Sequence, residues 1–424
     1  MDIRITKPIQ GGTVRAIASK SEAHRLLICA ALSDCDTFLF CPERSDDIDT
    51  TADCLKVLGA VIRYENDGFF VSPIKRPIEN KTYSLSCNES GSTLRFLLPI
   101  CGALGVKTGL YMSGRLPQRP LSVLYDEMTM HGCTLSGQGK SPLTCAGQLK
   151  SGTYTLPGNI SSQFISGLLF ALPLLSGDSI IKVTGVLESR PYVDMTVDVL
   201  NLFGINIIEE KPNTFFMSGN QSYCSPKNAK VEGDWSNAAF WLSAGAIGSG
   251  SVTCTNLNLK SKQGDRAIIE LLTRFGADVS CKDDSVTVSP GILRGINIDA
   301  GNTPDLVPVL SAVASVAEGT TTIRNAERLR IKESDRLQSV SKVLSDLGAD
   351  ITETEDGLKI RGKKGLIGGE TESFSDHRLA MTAAVVSKAC CGSVLIRGAD
   401  SVRKSYPNFF DDFKAVLGGE CEVL

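Results

Sequence analysis

The stretch that decides the fold reads DWSNAAFWLSAGAIGSG (234–250), SVTCTNLN (251–258), GDRAIIELLTRFG (264–276) and ADVSCKDDSVTVSPG (277–291). The first segment is apolar nearly all round, which predicts a buried helix. The second alternates apolar and polar residues as a half-buried strand does, and the third carries its apolar residues at helical spacing. The fourth is a strand pair joined by an Asp-rich turn. The order is therefore helix, strand, helix, strand, strand. It recurs at SGSTLRFLLPICGAL (90–104), KTGLYMSG (107–114), RPLSVLYDEMTMHG (119–132) and CTLSGQGKSPLTCAG (133–147). It recurs again at TPDLVPVLSAVASVAEG (303–319), TTTIRNAE (320–327), SDRLQSVSKVLSDLG (334–348) and ADITETEDGLKIRG (349–362).

The most regular mark of this unit is the glycine that closes its second helix. It stands in LKVLGA at Gly59, TMHGC at Gly132, NLFGI at Gly204, TRFGA at Gly276, SDLGA at Gly348 and AVLGG at Gly418, at intervals of 73, 72, 72, 72 and 70 residues. Glycine there is the usual left-handed helix stop, and a fixed period means a repeated architecture. A chain of 424 residues exceeds one ordinary core, so six copies divide naturally into three plus three. Residues 211–233, KPNTFFMSGNQSYCSPKNAKVEG, are rich in turn formers and predict the crossover between the two halves.

Composition excludes several classes. The chain is 42% hydrophobic and 21% charged, ordinary for a globular protein. A formal net charge of -3 leaves no global nucleic-acid footprint, so any anion site is local. No apolar run is long enough to span a membrane, and the start MDIRITKPIQGG lacks the apolar core of a signal peptide. The 14 cysteines are scattered with no C-x-x-C, which fits small buried hydrophobes in a reducing cytoplasm. With only three histidines, no structural metal is expected.

Each buried helix opens on polar residues: Ser19-Lys20-Ser21, Ser90-Gly91-Ser92, Ser161-Ser162-Gln163, Asp234, Thr303-Pro304-Asp305 and Ser375-Asp376. Helix capping explains each taken alone. Helix N-termini are also ready anion sites, and three copies around a pseudo-threefold axis would bring three of them together. Two such domains facing each other predict a cleft for a polyanionic ligand. Cations interrupt the same repeat at Lys20, Arg25, Arg95, Arg119, Arg328, Arg330, Lys332, Arg336, Arg378, Arg403 and Lys404. Any one of them could be a solvated surface charge, but Lys20, Arg25 and Arg378 open or enter apolar helices. Arg suits a bidentate grip on carboxylate or phosphate. Two acids are placed for proton work: Asp305, otherwise a helix cap, and Glu333, flanked by Lys332 and three residues before Arg336. Walker, dinucleotide, nucleophile-elbow and zinc-protease motifs are missing from the sequence.

These exceptions run in a recognisable order: ASKSEAHRLLICAAL (18–32), SGSTLRFLLP (90–99), LPQRPL (116–121), SSQFISGLLFALP (161–173), LESRPYVDMT (187–196), NTPDLVPVLS (302–311), RIKESDRL (330–337), SDHRLAM (375–381) and VRKSYPNFF (402–410). The whole chain resembles the EPSP synthases, the 3-phosphoshikimate 1-carboxyvinyltransferases. That resemblance implies an α/β fold of two domains. Each has three βαβαββ units around a pseudo-threefold axis, an inside-out α/β barrel. It implies domains at 19–226 and at 1–18 plus 227–424, with the active site in the cleft between them. The implied reaction moves the enolpyruvyl group of phosphoenolpyruvate to the 5-hydroxyl of shikimate 3-phosphate, without a cofactor, in a cytoplasmic monomer.

By motif, Lys20, Ser21, Arg25, Ser161, Ser162, Gln163, Ser189, Asp305 and Lys332 would bind shikimate 3-phosphate. Lys20, Gly91, Arg119, Gln163, Arg336, Arg378 and Lys404 would bind phosphoenolpyruvate. Asp305 would accept the 5-hydroxyl proton, Glu333 would exchange a proton at the methylene carbon, and Lys20 would assist both substrates. The related UDP-N-acetylglucosamine enolpyruvyl transferases are the alternative, but they typically carry a reactive Cys in the loop that here reads GRLPQRP (114–120). Three positions depart from the family's habit. Glu89 stands where Asn is common, AIASKS (16–21) where PGSKS or PGDKS is common, and Arg328 where an Asn contact is common.

Overall fold

A computed structural model describes residues 1–75 and 81–424. The chain divides into two compact units, one of Lys20–Val231 and one of Met1–Ser19 with Glu232–Leu424. Among the described residues there are six four-stranded sheets. In the second copy, Thr82–Asn88 runs parallel to Lys107–Met112, which pairs antiparallel with Leu143–Gly147, itself antiparallel to Cys133–Ser136. Helix Gly91–Ala103 makes the parallel crossover and Ser122–Met130 the second connection. The repeat is thus βαβαββ.

The leading strand of each unit escapes a reading of helix, strand, helix, strand, strand, and in two units it comes from far along the chain. Asn228–Lys230 runs parallel to Thr37–Phe40 and opens the first sheet. Gly12–Arg15 runs parallel to Val252–Thr255 and opens the fourth. In the sixth, Ile3–Lys7 fills the third place, between Val394–Arg397 and Glu420–Val423. Residues 211–233 are therefore more than a crossover. Thr214–Met217 lies in the third sheet between Ser179–Thr184 and Ile208–Lys211, and Asn228–Lys230 opens the first. That pairing keeps residues up to Val231 in the first compact unit, five beyond the division expected after residue 226.

The repeat glycines behave as helix stops. Gly59, Gly132, Gly204, Gly276, Gly348 and Gly418 all have positive φ, between 69° and 111°. The polar helix starts are mostly caps. Ser90 accepts from Thr93 N, Ser161 from Gln163 N, Asp234 from Asn237 N and Asp376 from Arg378 N, each worth about 1 kcal/mol. In the unit holding Glu232–Leu424, helices Trp235–Ala246, Val307–Ala314 and His377–Val386 pack on one another. Trp241 stacks on Phe409 at 4.3 Å and donates its indole N–H to Tyr406. In the other unit, helix Gly91–Ala103 lies on Ser162–Ala171, and Lys20–Leu32 on Asp46–Val57 and Arg190–Leu202. Among the described residues no helix is long and apolar enough to cross a membrane.

His24 is sealed in the core of the unit Lys20–Val231. Its Nδ1 lies 2.7 Å from Thr51 Oγ1, which lies 2.6 Å from Thr93 Oγ1, and its ring meets Phe96 edge-on. Burial, only partly opposed by Asp47, lowers its pKa from 6.5 to about 3. The unfolded chain takes up this proton below pH 6.5 while the folded chain refuses it. Stability from this group is therefore complete above 6.5 and lost as the pH falls toward 3. Denaturant titrations should show the unfolding free energy falling by about 2 kcal/mol between pH 7 and pH 5. His24→Asn should remove most of that slope, and an unchanged slope would show that His24 is not its source.

Candidate active site

In the unit of Glu232–Leu424 one arginine organises the charges. Arg336 opens helix Arg336–Asp346 and is 1% exposed. Its Nε lies 2.7 Å from Asp376 Oδ2, one terminal nitrogen 2.7 Å from Asp305 Oδ1, and the other 2.8 Å from Glu333 Oε2 and 3.3 Å from Asp376 Oδ1. Charges this deep persist only when paired. The planar fork makes four hydrogen bonds to three carboxylates, one more than the three donors of an ammonium allow. Asp376 is itself fully buried, accepts from Ser334 Oγ, and caps the helix that carries Arg378.

Asp305 is not the helix cap it could have been. It sits in the 3-10 turn Pro304–Leu306, whose N-cap Thr303 makes no side-chain cap bond. Its carboxylate instead faces cations. Arg378 reaches Asp305 Oδ2 at 3.3 Å and its carbonyl at 3.2 Å, and Lys332 Nζ stands 3.9 Å from Oδ1. Arg328 donates to the Gly301 carbonyl at 2.7 Å and so braces the turn before it. Burial would raise the Asp305 carboxyl, but Arg378, Lys332 and Arg336 outweigh it and hold the group far below the usual carboxylate range. Lys404 Nζ stands 3.8 Å from Glu333 Oε1. Four cations thus surround three carboxylates, and the two acids suited to proton transfer share Arg336.

The unit of Lys20–Val231 holds a second set. Arg25 donates from Nε to Thr196 Oγ1 at 2.8 Å, and its terminal nitrogens reach the carbonyls of Ser21 at 2.5 Å and Tyr192 at 2.9 Å. Burial pulls its pKa down to about 10, so it remains charged at neutral pH. Tyr192 N donates to the carbonyl of Ser189, which holds left-handed backbone at φ 53°. Lys20 Nζ pairs with Asp47 Oδ2 at 2.9 Å. Arg95, inside helix Gly91–Ala103, donates to Gln163 Oε1 and to the Pro120 carbonyl, both at 3.2 Å, while Gln163 Nε2 donates to Ser92 Oγ at 2.9 Å. A Cβ on Gly91 would lie 2.6 Å from Arg95 and 2.8 Å from Arg119. Only glycine lets both guanidiniums approach that helix start.

Residues 3–413 match the family described as EPSP synthase (3-phosphoshikimate 1-carboxyvinyltransferase). The chain belongs to this family. Among its relatives, the 3-phosphoshikimate 1-carboxyvinyltransferase of Clostridium kluyveri is 45% identical over 417 residues, covering 97% of this chain and 96% of its own. That of Clostridium acetobutylicum is 46% identical over 414 residues, covering 96% and 95%. Among solved structures, the EPSP synthase from Acinetobacter baumannii superposes with a TM-score of 0.82 at 24% identity over 100% of both chains. The enolpyruvyl transferase NikO from Streptomyces tendae does so at 0.80 and 19%, covering 99% of this chain and 98% of its own. The fold is therefore that of the EPSP synthases: α/β, with two domains of three βαβαββ units around a pseudo-threefold axis.

The sites expected from family motifs separate into two groups in this member. Asp305, Lys332, Glu333, Arg336, Arg378 and Lys404 form the first cluster. Gly91, Arg119, Ser161 and Gln163 are drawn together around Arg95. Lys20, Ser21 and Arg25 lie on the opening turns of helix Lys20–Leu32, where Arg25 ties them to the segment of Ser189, and Ser162 is buried at the start of its helix. Sequence reasoning missed several partners. Arg95 stood out only as a cation inside an apolar helix. Asp376 read as a cap, and Asp47 lay hidden in the acidic start DDIDTT (46–51). Asp265 was missed altogether. Burial raises its carboxyl to about 6, with Asp305 adding to the rise and Arg378 opposing it. Its only sequence signal was an acid at the start of an amphipathic helix.

Proposed function

We propose that this chain transfers the enolpyruvyl group of phosphoenolpyruvate to the 5-hydroxyl of shikimate 3-phosphate and releases phosphate. The observation that carries the reading is the cluster in which Asp305 and Glu333 share Arg336 beside Arg378, Lys332 and Lys404. Addition of a hydroxyl across an enol ether needs two proton transfers. The hydroxyl oxygen bonds to C2 as its proton passes to Asp305, and C3 gains a proton from Glu333 or Lys20. In the second half C3 returns that proton, the C2–O bond to phosphate breaks, and the departing phosphate takes up the proton held by Asp305. The leaving phosphate needs fixed cations. In this reading Arg119, Arg336, Arg378 and Lys404, with Lys20, Gly91 and Gln163, hold phosphoenolpyruvate. Lys20, Ser21, Arg25, Ser161, Ser162, Gln163, Ser189, Asp305 and Lys332 hold shikimate 3-phosphate.

The clamp on Asp305 has a mechanistic meaning. A carboxylate held by three cations is a weak base. Substrate phosphates and carboxylates that engage Arg378 and Lys332 would withdraw part of that hold and raise the basicity of Asp305 when the hydroxyl is present. The reading also has the enzyme act as a monomer in the cytoplasm, a setting consistent with its free cysteines, most of them buried. The decisive experiment mixes the protein with phosphoenolpyruvate and shikimate 3-phosphate and follows phosphate. Release that depends on both substrates is expected. Release with UDP-N-acetylglucosamine as acceptor, and none with shikimate 3-phosphate, would overturn the reading.

A further inference from the structure

Arg119 reaches Gly91 from a short loop, and the loop has its own anchor. Ser113 N donates to the Asn88 carbonyl at 2.9 Å, Leu116 N to the Ser113 carbonyl at 3.2 Å, and Arg119 N to the Leu116 carbonyl at 3.2 Å. Leu116 is buried, which fixes the middle of the 3-10 turn Leu116–Gln118. At the head of this turn the Arg115 N–H donates to Glu89 Oε1 at 3.2 Å. Gly114 lies directly against the same carboxylate, at φ 54°, and a Cβ there would fall on Glu89 Oε1. Glu89 itself follows Asn88, which is left-handed at φ 47° and is held by Thr50 Oγ1 at 3.0 Å. Glu89 is thus turned out of its strand onto the loop rather than toward solvent alone.

We infer that Glu89 is a positioning residue: its carboxylate latches the turn at Gly114–Arg115 and so sets the guanidinium of Arg119 over the start of helix Gly91–Ala103. The inference rests on the reading that Arg119 binds phosphoenolpyruvate. The position is unusual, because a negative charge one turn from an anion site repels the ligand it helps to seat. The geometry gives the charge a use: the carboxylate accepts from the Arg115 N–H, and a charged acceptor bonds more strongly than a neutral one. An amide oxygen would serve the same bond, so Glu89→Gln separates the latch from the charge.

The test uses the full chain with phosphoenolpyruvate as the probe. Glu89→Ala should speed hydrogen exchange in the 113–119 segment by about tenfold and raise the KM for phosphoenolpyruvate by about tenfold, with kcat and the KM for shikimate 3-phosphate changed less than about threefold. Glu89→Gln should restore both the protection and the KM. Gly114→Ala breaks the same latch from the other side. Combined with Glu89→Ala it should add little, as expected for one coupled unit. Unchanged exchange in Glu89→Ala would overturn the inference. So would a lower KM shared by the Ala and Gln variants, since charge and not position would then be the role. The exchange readout needs no turnover. If the wild type releases no phosphate, the functional reading fails while exchange still decides the latch.

Discussion

Asp305→Asn is expected to lower turnover about a thousandfold while the protein stays folded, the usual scale for losing a positioned proton-transfer group. The amide is the same size and keeps one oxygen to accept from Arg336, which bonds Oδ1, while its NH2 takes the place of the Oδ2 that faces Arg378, so the shape of the site survives. It cannot take the hydroxyl proton. Steady-state phosphate release beside a thermal melt separates the two effects, and turnover within about threefold of the parent would remove Asp305 as the base. The pH dependence follows from its clamp. The folded-state pKa of Asp305 is depressed, so its contribution to stability is present above the unfolded value near 4 and is lost as the pH falls through the lower folded value. Activity of the free enzyme should therefore show no acid limb from Asp305 in the ordinary carboxylate range. A limb near pH 4 that disappears in Asp305→Asn would contradict the clamp.

Arg336→Met should destabilise its unit by about 3–5 kcal/mol, because removing one partner leaves buried charges uncompensated. For a unit of this size that lowers the melting temperature by about 10 °C. Three carboxylates lose their common partner: Asp376, fully buried, and Asp305 and Glu333, largely so. The loss should shrink in mild acid, where these carboxylates can protonate instead of standing unpaired. Arg336→Lys should recover only part of it, since an ammonium keeps the charge but lacks the planar fork and the fourth hydrogen bond. A Met variant melting within about 2 °C of the parent at neutral pH would show that the hub is not structural.

Much of this was legible from residues alone. The repeat was legible because a helix stop that needs positive φ selects glycine, and six glycines at one period mark six stops. The buried helices were legible because they are apolar all round. The leading strands were not. Asn228–Lys230 has only three residues, and it pairs with Thr37–Phe40, nearly two hundred positions earlier. No local pattern announces a partner that distant. The site was legible as a set of exceptions, charged residues where an apolar helix should begin. Which exception meets which was hidden. Asp305 and Asp376 both read as caps. The fold turned Asp305 toward Arg336, Arg378 and Lys332, while Asp376 caps its helix and also holds Arg336.

The sequence by itself determined the unit, its sixfold recurrence and the chemical types gathered at the helix starts, because periodicity, capping and glycine stops act over a few residues. Only the tertiary structure decided that one guanidinium serves Asp305, Glu333 and Asp376, that Arg95 joins Gln163 to the Arg119 loop, and that Glu89 holds that loop's backbone. The reason is physical. Charge pairing and buried hydrogen bonds depend on distances of a few ångströms, and the fold sets those distances between residues far apart in the chain.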